Sequence, residues 1–315
     1  MYRNEMAGLQ FDQRLTDDER RHALYEGGIF VYSPTADTLE LCALGRRMIE
    51  EAFSPHDPRH VDKNLSMEET AVILGKLKPA FIHHPECKRL LPRIISQLGG
   101  DLAKTYFDVP RMRSAYPERY LTSGIAYAFH PHRDTWYSAP MCQINWWLPI
   151  FDITDQNCLA IHSNYFSQAV KNNSEIYNYY EWNTRNRADA AKHIHSDTRE
   201  QPRPQQEIER QEIRLVCPAG STIIFSAAQL HETVPNTSGL ARYSIDFRTV
   251  HSDDVVARKG ARNVDSRCTG TTLRDYLRCT DLQHLPDDMV HAYDDGTEVA
   301  GNVLVYRSDS AAVGS

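Results

Sequence analysis

The sequence lacks the features that direct a chain to a membrane or to nucleic acid. None of its apolar runs approaches the roughly 18 residues of a spanning helix, and its first residues contain no apolar segment typical of a secretory signal. The formal net charge is −7 over 315 residues, with no basic stripe. We therefore expect a cytoplasmic protein that binds neither nucleic acid nor membranes. The sequence gives no indication of its oligomeric state.

Cysteine patterns that would indicate disulfides or a cysteine-ligated zinc are also missing. Seven cysteines, an odd number, are scattered along the chain without a CxxC pair. They are typical of free thiols in a reducing compartment. With 41% hydrophobic and 24% charged residues, the composition is that of an ordinary globular protein.

We predict a single domain with three consecutive segments. Residues 1–115 are expected to form helices with a first strand, and residues 254–315 are expected to form a C-terminal extension. Between them, residues 116–253 contain most of the short apolar runs that predict strands, interrupted by a polar insertion at about residues 163–211. Many short strands after a helical start favour a mainly β fold, a sandwich or barrel with flanking helices.

The individual elements follow from local patterns. Thr16 to Glu19 forms a predicted capping box, and Gly27 is expected to end the helix that it starts. Further helices are predicted at residues 36–53, 87–107 and 271–278, with the second either continuous or broken at Gly99-Gly100. Strands are predicted at residues 29–32, 121–129, 143–151, 158–162, 213–217, 221–227 and 241–250.

The most informative motif is a histidine and an aspartate two residues apart, with a second histidine far along the chain. His132 and Asp134 follow the predicted strand at residues 121–129, and residues i and i+2 of a strand face the same side. His231 follows another predicted strand. Two histidines and one carboxylate form the facial triad that holds non-heme Fe(II). The other two HxD pairs, at residues 195–197 and 251–253, lack this context.

The predicted strand at residues 241–250 alternates between a polar and an apolar face. The polar face either meets water or turns into the barrel, with Ile245 and Phe247 packed under the N-terminal helices. We favour the second alternative because His231 lies just upstream. Arg242 would then bind the distal carboxylate of 2-oxoglutarate, with a hydrogen bond from Ser244. Arg248, on the same face, is the alternative anchor.

Together these segments resemble the Fe(II)/2-oxoglutarate-dependent dioxygenases of the phytanoyl-CoA dioxygenase-like family. That family typically shows a histidine, a Pro-Asn-x-Ser turn and an arginine eleven residues after the histidine. Here His231, residues 235–238 (PNTS) and Arg242 match that order. The resemblance implies a double-stranded β-helix (jelly-roll or cupin-like) core. It also implies Fe(II) on His132, Asp134 and His231, with 2-oxoglutarate and O₂ as cosubstrates.

The resemblance further implies the type of reaction. Halogenases of this class have Gly or Ala at the carboxylate position, so Asp134 implies hydroxylation, or a related desaturation or cyclisation. The loop at residues 157–164 departs from the family's usual pattern. The substrate therefore does not carry over, and we expect a small polar metabolite, in secondary metabolism.

Contacts around the iron remain open between two roles. Trp136 and Tyr137 either wall the pocket or pack in the core, and Asn145 either binds 2-oxoglutarate or makes structural hydrogen bonds. The tyrosine-rich residues 176–182 either stack on a ring of the substrate or pack as a helix. Two other functions compete with the oxygenase: a catalytically inert jelly-roll that binds a ligand, and a zinc hydrolase with the same ligands.

Overall fold

The fold consists of N-terminal helices, two antiparallel sheets and a C-terminal segment that returns to them. The computed structural model describes residues 8–126, 130–186, 193–195, 200–294, 297–300 and 303–306. Its strands are β1 (Leu9–Phe11), β2 (Ile29–Tyr32), β3 (Thr105–Phe107), β4 (Arg111–Ala115), β5 (Ile144–Pro149), β6 (Leu159–Ile161), β7 (Ile213–Leu215), β8 (Thr222–Ser226), β9 (His231–Thr233), β10 (Arg242–His251), β11 (Leu277–Arg278), β12 (Thr297–Ala300) and β13 (Val303–Tyr306). Its helices are α1 (Asp17–Tyr25), α2 (Ala36–Phe53), α3 (Met67–Ile82), α4 (Pro85–Gln97), α5 (Tyr179–Glu181), α6 (Ser252–Ala257) and α7 (Asp287–His291).

The larger sheet has the strand order β1-β2-β8-β5-β10-β3-β11, and β4 also pairs with β10. All of these pairings are antiparallel except that of β1 with β2. The smaller sheet has the order β7-β6-β9, and β12 pairs with β13 separately. The ten-residue strand β10 lies at the centre of the larger sheet.

Alternating side chains give the larger sheet two different faces. On β10, Ile245 and Phe247 are fully buried in the core that contains Leu41 of α2 and Phe81 of α3. The expected orientation of this strand is therefore confirmed. At Gly45 of α2 an added Cβ would lie 3.1 Å from the Ile150 side chain, so this helix packs closely on the sheet.

A second apolar layer lies between the two sheets. Ile29 and Ile223 of the larger sheet pack in one buried cluster with Leu159, Ile161 and Leu215 of the smaller sheet. Burying each such side chain stabilises the fold by about 1.5–3 kcal/mol. Two antiparallel sheets closed over a shared interior, with helices outside, form a jelly-roll core, and the predicted fold class is confirmed.

Capping and turn residues define the first helices as predicted. The Thr16 side chain accepts from the Glu19 amide, the Glu19 carboxylate accepts from the Thr16 amide, and α1 begins between them. Gly27, with a φ of 95°, follows the end of α1 in a left-handed conformation that suits glycine. Helix α2 spans the predicted residues 36–53. No helix of the described residues is both long and apolar enough to cross a bilayer.

Three element predictions were wrong. Residues 121–126 contain a 3-10 turn (Gly124–Ala126) instead of a strand, and residues 127–129 lie outside the described part of the chain. The predicted helix at 87–107 ends at Gln97, just before the Gly99-Gly100 pair that was the alternative break point, and the residues beyond this pair form β3 instead of helix. The predicted helix at 271–278 is a short 3-10 turn followed by β11.

Candidate metal centre

Backbone pairing brings the two distant histidines together. The amide of His132 donates to the carbonyl of His231 and the amide of His231 donates to the carbonyl of His132, both at 2.9 Å. This isolated bridge extends the smaller sheet beyond β9. Asp134 begins the 3-10 turn that follows, so its carboxylate turns back toward both imidazoles. The HxD pair therefore reaches the site from a bridge and a turn instead of the predicted strand.

The three side chains enclose a point that a metal ion can occupy. Asp134 Oδ1 lies 3.4 Å from His132 Nε2 and 3.8 Å from His231 Nε2. One ligand atom from each residue lies within 4.8 Å of the other two. Ligands that each bind an ion at about 2.0–2.2 Å are separated by about 3–3.5 Å, so small adjustments would complete the coordination.

Both imidazoles are held in the tautomer that a metal requires. His132 Nδ1 lies 2.8 Å from the carbonyl of His130, and His231 Nδ1 lies 3.0 Å from the carbonyl of Gln229. Since a carbonyl only accepts, each Nδ1 donates and each Nε2 keeps its lone pair. Such outer hydrogen bonds orient metal-binding histidines.

The carboxylate of Asp134 is held on the oxygen that faces away from the histidines. Asp134 Oδ2 accepts from Gln143 Nε2 at 3.2 Å and from Arg248 Nε at 3.4 Å. The oxygen Oε1 of Gln143 accepts from the Tyr276 hydroxyl at 2.7 Å. Oδ2 is therefore occupied, and Oδ1 is left for an ion.

Burial and neighbouring charges set the protonation states of the site. Burial opposes the charged form of Asp134, but Arg248 and the two histidines hold its pKa well below the usual range. Burial, together with the charge of His132, lowers the pKa of His231 to about 3. A carboxylate and a neutral imidazole are the forms that bind metal ions.

Arg133 anchors the loop between the two HxD ligands. Its buried guanidinium donates to Asp265 Oδ2 at 3.1 Å and to the carbonyls of Tyr165 and Gln168 at 2.6 and 2.8 Å. Trp136 is also fully buried, and its indole donates to Asp265 Oδ1 at 2.7 Å. Trp136 does not line the cavity, so of the two roles left open for it the structure contradicts the pocket wall and favours packing behind the metal loop.

The triad opens into a cavity of about 270 Å³ inside the jelly roll. Asn145, Trp147 and Arg242 line it from the larger sheet, as does Arg248. Its acidic, basic and histidine lining residues are Asp108, Arg111, Arg113, His132, Asp134, His231, Glu232, Arg242, Asp246, Arg248 and Asp275.

Arg242 is a buried cation with no carboxylate partner among the described residues. It is 5% exposed, and it donates to the carbonyl of Asn157 at 3.2 Å and to Ser244 Oγ at 2.6 Å. Its guanidinium also lies 5.4 Å from the centre of the Trp147 ring. No carboxylate of the described residues lies within ion-pair distance of it. Burial lowers the pKa of Arg242 to about 10, so it stays charged near neutral pH.

Arg248 has the opposite surroundings. Its guanidinium lies 3.3 Å from Asp108, 3.3 Å from Asp246 and 3.4 Å from Asp134. Three carboxylates already satisfy this cation, so the contrast favours Arg242 as the residue that receives a carboxylate ligand. Ser244 is fully buried and does not line the cavity, so it orients Arg242 and is placed too deep for the predicted contact with 2-oxoglutarate.

Asn145 lines the cavity on β5, directly opposite Arg248 on β10. Its Oδ1 accepts from Gln143 Nε2 at 2.9 Å. Its Nδ2 donates to no atom of the described residues, so this amide is available to a ligand.

Aromatic side chains cover the cavity beyond the triad. The ring of Tyr137 lies 5.5 Å from that of His132 and 5.1 Å from that of Tyr177. The Tyr177 ring lies 5.7 Å from that of Trp182. Tyr137, Tyr177 and Trp182 all line the cavity, and the last two belong to the polar insertion.

The supporting residues in the C-terminal segment were not found from sequence. Tyr276 holds Gln143, Asp265 holds Arg133, and Thr272 and Asp275 line the cavity. They lie outside the segment that carries the family resemblance. They lie more than a hundred residues after the HxD pair in the sequence, so no local pattern indicates them.

Comparison with known proteins gives structural neighbours only. No family model and no curated protein matches the chain. The chain is similar to EvdO2 of Micromonospora carbonacea var. aurantiaca, solved with 2-oxoglutarate (TM-score 0.45, 12% identity, covering 76% of this chain and 93% of that one). It is also similar to SnoK, a non-heme alpha ketoglutarate dependent carbocyclase from nogalamycin biosynthesis (TM-score 0.39, 15% identity, 78% and 92%).

These neighbours are of the class of enzyme that the sequence resembles. Likeness at such scores and identities does not assign a function to this chain. The function is argued instead from the geometry of the chain's own side chains.

Proposed function

We propose that this chain is a non-heme Fe(II)/2-oxoglutarate-dependent oxygenase. Its reaction would be the hydroxylation, desaturation or cyclisation of a small polar metabolite in secondary metabolism. The observation that supports this proposal most strongly is the pairing of two features in one cavity. His132, Asp134 and His231 converge on one point, and Arg242 offers a buried, uncompensated cation.

The donor set fits iron and its cosubstrate. Two imidazoles and one carboxylate suit Fe(II) and leave coordination positions open. A buried guanidinium without an acidic partner is costly, and a dicarboxylate that binds in the cavity supplies that partner. Iron on these three residues would supply O₂ activation coupled to oxidative decarboxylation of 2-oxoglutarate, with one oxygen atom going to succinate and the other serving to oxidise the substrate.

The chain's own residues position these groups and keep water away. Gln143 and Arg248 hold Asp134 Oδ2, so the ligand oxygen Oδ1 stays directed at the histidines. Arg242 would bind the distal carboxylate of 2-oxoglutarate. The Nδ2 of Asn145 would donate a hydrogen bond to the cosubstrate. Tyr137 shields the triad on the side of the substrate.

Substitution of one metal ligand and of the anchor tests the proposal. In His231→Ala, anaerobic Fe(II) binding and 2-oxoglutarate-dependent succinate formation should both be lost. In Arg242→Gln, Fe(II) should still bind, whereas the Kd for 2-oxoglutarate should rise about 100-fold or more, since a buried charge pair loses one partner. His284→Ala, at an exposed histidine, is the control.

The same assays separate the competing functions. A zinc hydrolase would purify with zinc and turn over without O₂, and an inert binder would release no succinate under any condition. Unchanged 2-oxoglutarate affinity in Arg242→Gln would contradict the proposed anchor.

A further inference from the structure

Glu232 is a buried carboxylate that lines the cavity and has no lysine or arginine partner in the described part of the chain. It follows the candidate ligand His231 and is 8% exposed, and among the described residues its side chain hydrogen-bonds only with His162, whose Nε2 lies 3.0 Å from Glu232 Oε1. No lysine or arginine among the described residues lies within ion-pair distance of it. A carboxylate is rarely buried in this way unless a positive charge compensates it.

Three other acidic residues of the cavity have an arginine partner, and the fourth, Asp275, differs from Glu232 in its exposure. Asp246 pairs with Arg113 at 2.7 Å, and Asp108 and Asp134 pair with Arg248 at 3.3 and 3.4 Å. Asp275 accepts from the hydroxyl of Tyr179 and is less buried than Glu232.

His162 does not neutralise Glu232. The imidazole is 1% exposed, and its Nδ1 has neither solvent contact nor a hydrogen-bond partner among the described residues. A protonated His162 would bury an unsatisfied N–H at Nδ1, which is unfavourable. The neutral tautomer avoids this, with Nε2–H donating to Glu232 Oε1. The other oxygen of the carboxylate, Oε2, accepts no hydrogen bond from the described residues.

Iron and 2-oxoglutarate do not supply the missing charge. The two positive charges of Fe(II) and the two negative charges of 2-oxoglutarate cancel, and the described residues that line the cavity include five carboxylates but only four arginines. Glu232 is left as an unbalanced negative charge in the loaded cavity. The same cavity is also lined by the aromatic side chains of Tyr137, Tyr177 and Trp182, and such a wall suits an organic cation or a ring.

We propose that the substrate is an organic cation, a ring-bearing amine or guanidine, whose positive group binds Glu232 Oε2. This inference rests on the proposed function, because it assigns the substrate class of the same site. Tyr137, Tyr177 and Trp182 contact the rest of the substrate, and His162 positions Glu232. Metabolites with an amino or guanidino group should therefore stimulate succinate formation more than neutral or anionic analogues.

Two probes of equal shape and different charge test the proposal. The full-length protein, loaded anaerobically with Fe(II) and 2-oxoglutarate, is titrated by calorimetry with benzylammonium and with neutral benzyl alcohol. The wild type should bind benzylammonium about tenfold more tightly or better, as expected for a buried charge pair. Glu232→Gln should bring the two affinities close together and leave the Kd for 2-oxoglutarate unchanged. Glu207→Gln, an exposed site with the same loss of charge, should keep the preference.

Several outcomes would overturn the assignment. These are equal affinities in the wild type, no detectable binding of benzylammonium, or a preference that survives in Glu232→Gln. If Glu232→Gln loses 2-oxoglutarate binding and its folded state, Glu232→Met replaces it, and the same criterion applies. Failure of the proposed function is distinguishable, because Arg242→Gln should weaken 2-oxoglutarate binding and keep the preference for the cation.

Discussion

Residues behind the three candidate ligands fix the direction in which those ligands point. Gln143 donates to the outer oxygen of Asp134 and receives a hydrogen bond from Tyr276. This chain of contacts fixes the direction of the carboxylate before any ion binds. Outer contacts of this kind typically change metal affinity by about 10–100-fold.

We predict that Gln143→Met lowers metal affinity by about 10–100-fold and leaves the fold intact, because methionine fills the space but donates no hydrogen bond. Anaerobic calorimetry with Co(II) measures the affinity. Gln156→Met, at an exposed glutamine, is the matched control. Equal affinities in Gln143→Met and the wild type would show that Arg248 alone holds Asp134.

His231 makes the stability of the metal-free protein depend on pH. Burial lowers its pKa to about 3 in the folded state, against about 6.5 in an unfolded chain. Below about pH 6.5, His231 of the unfolded chain therefore binds a proton, whereas His231 of the folded chain stays neutral until the pH approaches 3. This contribution to stability is complete above that pH and is lost as the pH falls toward 3.

Urea unfolding in the presence of a chelator tests this dependence. Between pH 7 and pH 5 the wild type should lose about 2 kcal/mol more unfolding free energy than His231→Gln, at about 1.4 kcal/mol per pKa unit. The other histidines titrate in both proteins, so the difference isolates this site. Parallel pH profiles would contradict the low pKa of His231.

Among the elements, the sequence predicted strands and helices correctly where a segment with regular side-chain alternation also has a neighbouring element to pack or pair with. Strands β5, β8 and β10 and helix α2 all lie within or next to their predicted ranges. The run at residues 121–129 has apolar residues typical of a strand. Its backbone nevertheless turns through positive φ at Leu121 (42°) and Gly124 (61°), which no strand accommodates.

Strand β4, in contrast, formed without being predicted. Its arginines alternate with apolar residues, but it lies in a segment that was predicted to be mainly helical. Met112 packs in the core, while Arg111 and Arg113 line the cavity. Charged side chains point inward here because Asp108 and Asp246 pair with them, and that pairing exists only in the folded chain.

The residues of the candidate site also fall into those that the sequence predicted and those that it did not. The ligand motif and the spacing from His231 to Arg242 are local and were found from sequence. The contacts that orient them were not, since the Tyr276–Gln143 bond joins residues 133 positions apart. Burial of Glu232 and the saturation of Arg248 are likewise properties of packing and not of any pattern.

The loop around Asp265 ties the C-terminal segment to the metal loop. Its carboxylate accepts from Arg133, from the Trp136 indole and from the amide of Val170. We predict that Asp265→Ala lowers the unfolding free energy by about 3–5 kcal/mol, because it leaves the buried Arg133 cation without its partner.

Urea unfolding measures this loss, and Co(II) affinity should fall with it as the metal loop loosens. Asp281→Ala removes an exposed carboxylate paired with Arg278 and should lower the unfolding free energy far less than Asp265→Ala, because solvent screens this pair. Similar losses in the two variants would mean that Asp265 does not anchor the loop.

For the whole molecule, one apolar core joins the three predicted segments. It contains Leu24 and Phe81 from the N-terminal helices, Ile245 from the jelly roll, and Tyr276 and Val290 from the C-terminal segment. No segment therefore keeps its apolar surface buried when another is removed, which favours a single domain.

We predict that the chain unfolds in one cooperative transition. Urea curves followed by far-UV circular dichroism and by tryptophan fluorescence should coincide, as two-state unfolding requires. A chain ending at residue 253 should fail to fold, because it loses Tyr276, Val290 and the Asp265 anchor while their buried partners remain. Separate transitions in the full chain, or a well-folded truncated chain, would mean that the C-terminal segment is an independent unit and that the metal loop is fixed without it.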